Sequence, residues 1–384
     1  MLTHIPQDRN FLNQSKSQRF TLSLLILMIC TTGQQLFGQT EKKTETATQS
    51  VAVRDGQHDF DFNIGVWHTH IRRVLDPFSS SSEPLVLEGT VTVRKVWGGK
   101  AQLEEIEADG PKGHWEGLGL FLYDPNAHQW SQSFINSQMG DLGSPLIGEF
   151  HGGRGELFGP DTFKGKAILV RGVWSGIEPN AHHYEESYSD DGGRTWRFSF
   201  LADLTRDDRV KDQDGSAIAD SAHKDAITAK QHEFDFDLGT WKMRSTRLLH
   251  PLTGSHAWVE MNGRAVVNKV WGGRANLAEY DASGAGGHVT LLALRWFNPT
   301  TAEWNLDFAT PQVGTLGVPG VGTFKDGRAD FYDYERISGR SVLVRFSIWK
   351  ITDDTAQSEQ AFSEDGGKTW EVNWINKYTR VAGE

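Results

Sequence analysis

Three pairs of polar positions recur 174 residues apart in this chain, with residue types that can pair charges, hydrogen-bond a ligand or, in the glutamates, move a proton: Glu105 with Glu279, Arg171 with Arg345, and Glu186 with Gln360. Glu105 and Glu279 each follow a leucine by two positions, Leu103 and Leu277. Residues two apart in a strand share a face. If the leucine faces a core, the carboxylate enters it too, and a buried carboxylate needs a partner. Arg171 and Arg345 sit in apolar strands beside Leu169 and Leu343. One reading is a Glu–Arg pair inside each unit; the other is a cross-strand pair on the outer surface. Glu186 and Gln360 share a face with Tyr188 and Phe362, as polar points in an aromatic pocket. Trp97, Trp271, Trp130, Trp304, Trp174 and Trp349 are candidates for its lining, with core packing as the alternative. A cavity glutamate such as Glu105 or Glu279 is the group that would act as a general acid or base.

The histidines point elsewhere. His68-Thr69-His70 has a spacing able to hold a metal, but Lys242 and Arg244 stand at the matching positions and no third ligand is near in sequence. A solvated outer face is therefore expected there, and His182-His183 has no repeat partner either. His58 and His232, with Asp61 and Asp235, recur before a Phe-Asp-Phe opening and are expected to cap one end of each unit. His114 and His288 recur in Gly-His turns. No serine-nucleophile elbow, zinc-protease helix, phosphate-binding loop or dinucleotide fingerprint occurs, so neither a metal nor a cofactor is expected.

The elements that must position these groups are written twice. HDFDFNIGVW at 58–67 returns as HEFDFDLGTW at 232–241, and RKVWGGKAQLEE at 94–105 as NKVWGGRANLAE at 268–279. GDLGSPLIGEF at 140–150 returns as GTLGVPGVGTF at 314–324, and SDDGGRTW at 189–196 as SEDGGKTW at 363–370, all at the same offset of 174. Only Trp174 and Trp349 fall one residue out of step, which suggests a local insertion. The units are assigned to residues 57–207 and 231–384, joined by a polar linker at 208–230. So long a period means duplicated domains; propeller blades or solenoid turns repeat every few tens of residues. Within each unit, short β-branched and aromatic runs are separated by Gly-Gly, Asp-Pro-Asn and Asn-Pro turns, with no long helical periodicity. Eight to ten antiparallel strands per unit predict an all-β chain of two tandem up-and-down β-barrels, with a sandwich as the alternative.

Composition narrows the setting. The chain has 384 residues, 41 Gly, 14 Trp and a net charge of −11, which disfavours a nucleic-acid partner. Lys16 and Arg19 precede an apolar run, Phe20 to Cys30, which is short for a span and fits a signal peptide over residues 1–38, with 39–56 as a lead-in. An uncleaved anchor is the alternative; cleavage leaves no stable membrane span. The only cysteine, Cys30, lies in this segment, so cleavage would leave a chain without disulfides, exported to the periplasm or secreted.

Two resemblances follow from these residues. Ser-x-Asp-x-Gly-x-Thr-Trp matches the Asp box of sialidases and related propellers, but it occurs here once per 174-residue unit, not at blade spacing. Gly65-Val66-Trp67 with a distal Arg206, and Gly239-Thr240-Trp241 with Arg380, resembles the lipocalin and calycin signature, in which the first-strand Trp packs under an Arg at the closed barrel base. The F-D-F-x-x-G-x-W opening and S-x-D-G-G-x-T-W ending are similar to those of a bacterial lipocalin-like domain family of unknown function. The resemblance implies barrels with a cavity open at one end. The pairing is also similar to that of tandem calycin enzymes such as carotenoid hydratases, whose catalytic motifs are not recognisable here. The resulting expectation is a small apolar or aromatic ligand in one or both cavities. The alternatives are a hydratase, isomerase or lyase using a cavity glutamate, and an interaction module whose barrels are filled by their own side chains. The count of bulky inward residues decides the last alternative: a cavity below about 300 Å³ leaves little room for a ligand. Oligomeric state is not legible.

Overall fold

The computed structural model describes residues 54–207 and 229–382. The expected signal peptide, most of the lead-in, Cys30 and most of the linker lie outside the described residues.

Ten strands, β1 (Gly65–Arg73), β2 (Leu85–Val96), β3 (Ala101–Gly110), β4 (Gly113–Asp124), β5 (Gln129–Asn136), β6 (Leu146–His151), β7 (Arg154–Phe163), β8 (Lys166–Glu178), β9 (Ala181–Ser189) and β10 (Arg197–Arg206), form barrel 1. Each pairs antiparallel with its sequence neighbours, and β1 closes the ring on β10, with Trp67 opposite Arg206. Barrel 2 repeats this with β11 (Gly239–Leu248), β12 (Trp258–Val270), β13 (Ala275–Gly284), β14 (Gly287–Asn298), β15 (Glu303–Ala309), β16 (Gly320–Lys325), β17 (Arg328–Ile337), β18 (Arg340–Trp349), β19 (Thr355–Ser363) and β20 (Glu371–Arg380). Closure leaves no exposed sheet edge.

Each barrel is plugged at its base by the Phe-Asp-Phe segment, which makes a short 3-10 turn at Asp61–Asn63 or Asp235–Asp237. The turn drives Phe60 upward among Phe121, Trp130, Phe150 and Trp174, with ring centroids 4.8 to 5.5 Å away. Asp61 ties the plug down by accepting from His58 at 3.0 Å and Lys95 at 2.9 Å; Asp235 does the same with His232 and Lys269. Across the base, the Arg206 guanidinium lies 4.1 Å from the Trp67 ring centre and donates to the Ile64 and Pro179 carbonyls. Arg380 lies at the same 4.1 Å from Trp241. A cation on an indole face, with its N–H groups spent on carbonyls, seals an end that would otherwise expose backbone.

The barrels pack side by side. The outer faces of β3, β4 and β5 meet those of β13, β14 and β15 in a seam built around Leu103, Leu118, Leu120, Leu277, Leu292 and Leu294. The mouth loop of barrel 1, residues 137–145, is held by the base of barrel 2. Trp296 Nε1 donates to the Gly140 carbonyl at 3.1 Å and Asn298 Nδ2 to Asp141 Oδ1 at 3.0 Å. Reciprocally, Asn126 and Ser131 donate to the carbonyls of Gln312 and Gly314 in the mouth loop of barrel 2. The mouth of each barrel thus lies beside the base of the other.

Candidate functional site

Strand register decides which side chains enter barrel 1. Trp67, Thr69, Ile71 and Arg73 point inward from β1, and their partners carry that phase around the ring to Glu104 on β3, Gln132 on β5, and Tyr184, Glu186 and Tyr188 on β9. Above the plug these residues enclose a cavity of about 190 Å³, walled by Trp115, Phe134, Trp174 and Phe200 and reached past Leu75, Met139 and Phe163. This is below the volume expected for a drug-sized ligand. It exceeds the ~150 Å³ that suffices to hold benzene in an apolar cavity. The space is that of a single substituted ring.

Its polar side holds three separate hydrogen-bonded groups. Glu104 is only 6 % exposed, and Asn63 Nδ2, from the base plug, donates to it at 3.4 Å. Burial raises the Glu104 pKa from the ordinary 4.5 to about 7, because the charged form is poorly solvated there. Glu186 accepts from Ser199 Oγ at 3.0 Å, and burial raises its pKa as well. The Tyr184 phenol is hydrogen-bonded to Gln132; burial, then the charges of Glu186 and Glu104, keep it protonated. Trp174 Nε1 donates to Gln132 Oε1 at 3.2 Å, fixing the amide's orientation. Gly172 makes room opposite: a Cβ there would lie 2.9 Å from the Tyr184 hydroxyl. Thr69 and Trp115 also line the cavity, and their buried Oγ1 and Nε1 atoms have no protein hydrogen-bond partner. Arg73 stands at the mouth, 5.6 Å over Trp115, and donates to Gln138 at 3.0 Å. Burial lowers its pKa, opposed by Tyr188 and Glu186. Below the cavity, His182 packs edge-on to Trp67 at 4.3 Å; burial and the Arg206 charge push its pKa down to about 3, so it is neutral.

Barrel 2 is different inside. By register and offset, Ala278, Leu306, Ser358, Gln360 and Phe362 replace Glu104, Gln132, Tyr184, Glu186 and Tyr188. A fully buried Arg295, in place of Phe121, pairs with Asp237 and the Tyr280 hydroxyl and lies 4.9 Å over the Phe234 ring. Burial alone would lower the Arg295 pKa; Tyr280 and Asp237 outweigh it and hold the guanidinium charged.

Several expected positions are corrected. Glu105 points outward into the seam, where Oε1 accepts the Trp271 backbone N–H at 2.6 Å and Oε2 meets Arg94. Glu279 occupies the same outer face of β13. The leucine that set the phase, Leu103, is buried by the other barrel, so its burial does not mark the barrel interior. Arg171 and Arg345 also face outward, 4.8 and 4.7 Å over Trp196 and Trp370 of the closing hairpins, with Glu185 and Glu359 as their acidic neighbours. No Glu105–Arg171 pair forms. Trp97 and Trp271 do not enter a barrel interior: both take left-handed backbone angles, φ 55° and 56°, and their indoles pack in the seam. Trp130 and Trp304 face inward at the bases, and Trp174 lines the cavity. Trp349 faces outward under Arg328; Ile348 fills the register position of Trp174, so no insertion separates the copies. Glu186 and Gln360 do point inward, and the cavity-lining Glu104, next to Glu105, was not singled out from the sequence.

His68 and His70 lie on the outer face against Asp207 and Glu88, and no cluster of three metal-ligating side chains occurs among the described residues. In both Asp boxes the carboxylate, Asp191 or Asp365, accepts from the backbone N–H groups two of which belong to Arg194 and Thr195, or Lys368 and Thr369. These bonds lower both pKa values to about 2. The motif is a turn at each barrel's mouth rim.

No protein-family model matches the chain, and no curated protein does. Among solved structures, the S-type phycobiliprotein lyase CPES from Guillardia theta is similar at 12% identity over 39% of this chain and 92% of its own, with a TM-score of 0.30. A protein of unknown function from the DUF3598 family of Nostoc punctiforme PCC 73102 is similar at 12% identity over 85% and 100%, with a TM-score of 0.23. No helix among the described residues is long and apolar enough to cross a membrane.

Proposed function

We propose that barrel 1 is a binding protein for a ligand the size of one substituted ring, and that barrel 2 braces it. One observation carries this reading. The barrel 1 interior keeps a cavity of about 190 Å³ lined both by aromatic side chains and by polar ones, Thr69, Glu104, Gln132, Tyr184 and Glu186. Such sites are mostly apolar with a few placed polar groups. The basic-then-apolar stretch from Lys16 to Cys30 supports export as the setting. Benzyl alcohol titrated against the fluorescence of the protein should give saturable binding. Ala202→Leu, which fills the cavity, should weaken it, and Arg171→Ala, on the outer face, should not. Binding unaffected by Ala202→Leu, in a variant that unfolds like the parent, would place the ligand elsewhere.

A second reading, acid–base catalysis of isomerase, hydratase or lyase type, is favoured by Glu104, whose pKa of about 7 suits proton transfer near neutrality. Its simplest test is deuterium uptake from D2O into the α-carbons of cyclohexanone. Exchange no faster than with Glu104→Gln would dismiss it.

A further inference from the structure

The two barrels solve the same electrostatic problem differently. In barrel 2 the interior acid Asp237 has a resident cation, Arg295, seated on an aromatic face and bonded to a tyrosine hydroxyl. Barrel 1 has Asn63 where barrel 2 has Asp237, and Phe121 where it has Arg295. It then restores an acid one strand away, at Glu104, where barrel 2 has Ala278. It restores no cation there.

We propose that the barrel 1 cavity takes a small organic cation, a ring-bearing primary amine, whose ammonium sits against Glu104 and whose ring lies among Trp115, Phe134 and Trp174. This rests on the reading that barrel 1 binds a ligand. Each part has a physical basis. An ammonium supplies the countercharge that a buried carboxylate requires, as Arg295 does for Asp237. The indole and phenyl faces attract a cation, and more strongly away from water. The cavity volume admits one ring with a short arm.

The surrounding charges agree. Glu104 is faced by Asn63 from the plug, Gln132 from β5, and Tyr184 and Glu186 from β9, none of them cationic. Asp161 on β7 and Arg73 on β1 lie toward the mouth, where both act on Glu186. His182 is neutral. The cavity wall is therefore acidic at depth, and its only arginine is at the rim.

The proton balance gives the proposal a signature that a neutral ligand lacks. An ammonium that binds while Glu104 is protonated must drive off that proton to form the ion pair, so one proton leaves as one ligand enters. Isothermal titration in buffers of different ionisation enthalpy counts it. With benzylammonium, proton release should approach one per site at pH 6 and vanish at pH 8, and affinity should rise by nearly tenfold between them. At pH 8 benzylammonium should bind at least ~10-fold tighter than benzyl alcohol, and benzoate weakest. Glu104→Gln should remove both the proton release and the preference for the amine. Benzyl alcohol bound as tightly as benzylammonium, or a preference that survives Glu104→Gln, would overturn the cation and leave the ligand site standing. If none of the three probes binds, the ligand site falls and the cation with it.

Discussion

Glu104→Gln should stabilise the protein, and the gain should depend on pH. The Glu104 carboxyl is 6 % exposed and has no cation beside it. Its pKa rises from an ordinary 4.5 in the unfolded chain to about 7 in the fold. The folded state therefore binds the proton more tightly than the unfolded state does. Below about pH 4.5 both states are protonated and the carboxyl has no pH-dependent cost. As pH climbs through the interval to 7 the unfolded chain ionises first, and stability is lost. At about 1.4 kcal/mol per unit of pKa the loss reaches ~3 kcal/mol, nearly all of it present by pH 7.5. Glutamine keeps the shape and an oxygen for Asn63 but cannot ionise. Urea unfolding followed by tryptophan fluorescence, at pH 4 and pH 7.5 on both proteins, isolates this contribution. The packing cost of the substitution is common to both pH values and cancels in the difference. The gain should be ~3 kcal/mol larger at pH 7.5 than at pH 4. An equal effect at both would mean that the carboxylate is solvated or paired, and the argument for an unbalanced acid would be lost.

Three other substitutions probe the frame around the cavity. Gly314→Ala puts a methyl group 2.4 Å from the Asp124 backbone nitrogen, across the seam, where no flexible side chain can yield. It should cost ~1–3 kcal/mol in urea unfolding, and an unchanged midpoint would mean that the barrels do not touch there. Arg206→Met removes the guanidinium from Trp67 and from the carbonyls of Ile64 and Pro179. It should lower stability by ~1–3 kcal/mol, and an effect no larger than that of the exposed Arg194→Met would remove the base from the stability argument. The Asp191 carboxyl, held near 2 by backbone and side-chain donors, should titrate by carbon-detected NMR with a midpoint about there. Its bonds favour the turn above the ordinary carboxylate pKa and lose effect as pH falls through 2; Thr195→Val, which deletes one donor, should move the midpoint upward.

The architecture was legible because it was written twice. Two copies in register distinguish a repeated Gly-x-Trp and a distal Arg from chance, and turn residues mark the strands between them. The site was less legible because alternation gives the relative phase of a strand and not its absolute direction. β3 is apolar on both faces: Leu103 faces the seam, while Ile106 and Ala108 face the barrel. Taking Leu103 as the inward marker reverses the strand and selects Glu105 in place of Glu104; of the two readings open for Glu105, the outer face holds. The register carried from Trp67 through Val91 to Ile106 sets the phase correctly, but it depends on hairpin geometry at Trp97-Gly98-Gly99, where an indole takes a backbone conformation rare for bulky residues. On β8 the same limit made Arg171, an outer-face residue stacked on the closing hairpin, read as an interior one.

The seam keeps its leucines alike in the two copies, Leu103 with Leu277, Leu118 with Leu292 and Leu120 with Leu294, while the interiors behind it diverge. Gly140 and Leu142, which barrel 2 grips through Trp296 and the seam, belong to the same loop as Met139, Gly143 and Ser144, which line the cavity. Barrel 2 thus shapes the site without contributing a side chain to it. That task asks only for a rigid base, and an interior that supplies its own Arg295–Asp237 pair is suited to it. Barrel 1 carries the opposite arrangement, an interior acid left without a countercharge at a cost of ~3 kcal/mol near neutral pH. A single barrel would have to bear that cost within its own stability margin, which is of order 5–15 kcal/mol for a domain. Sharing an apolar seam with a second barrel spreads it over both. Keeping the seam leucines and the Trp–Arg bases alike while letting the residues above the plug differ is what this duplication allows, and that difference is where function should be sought.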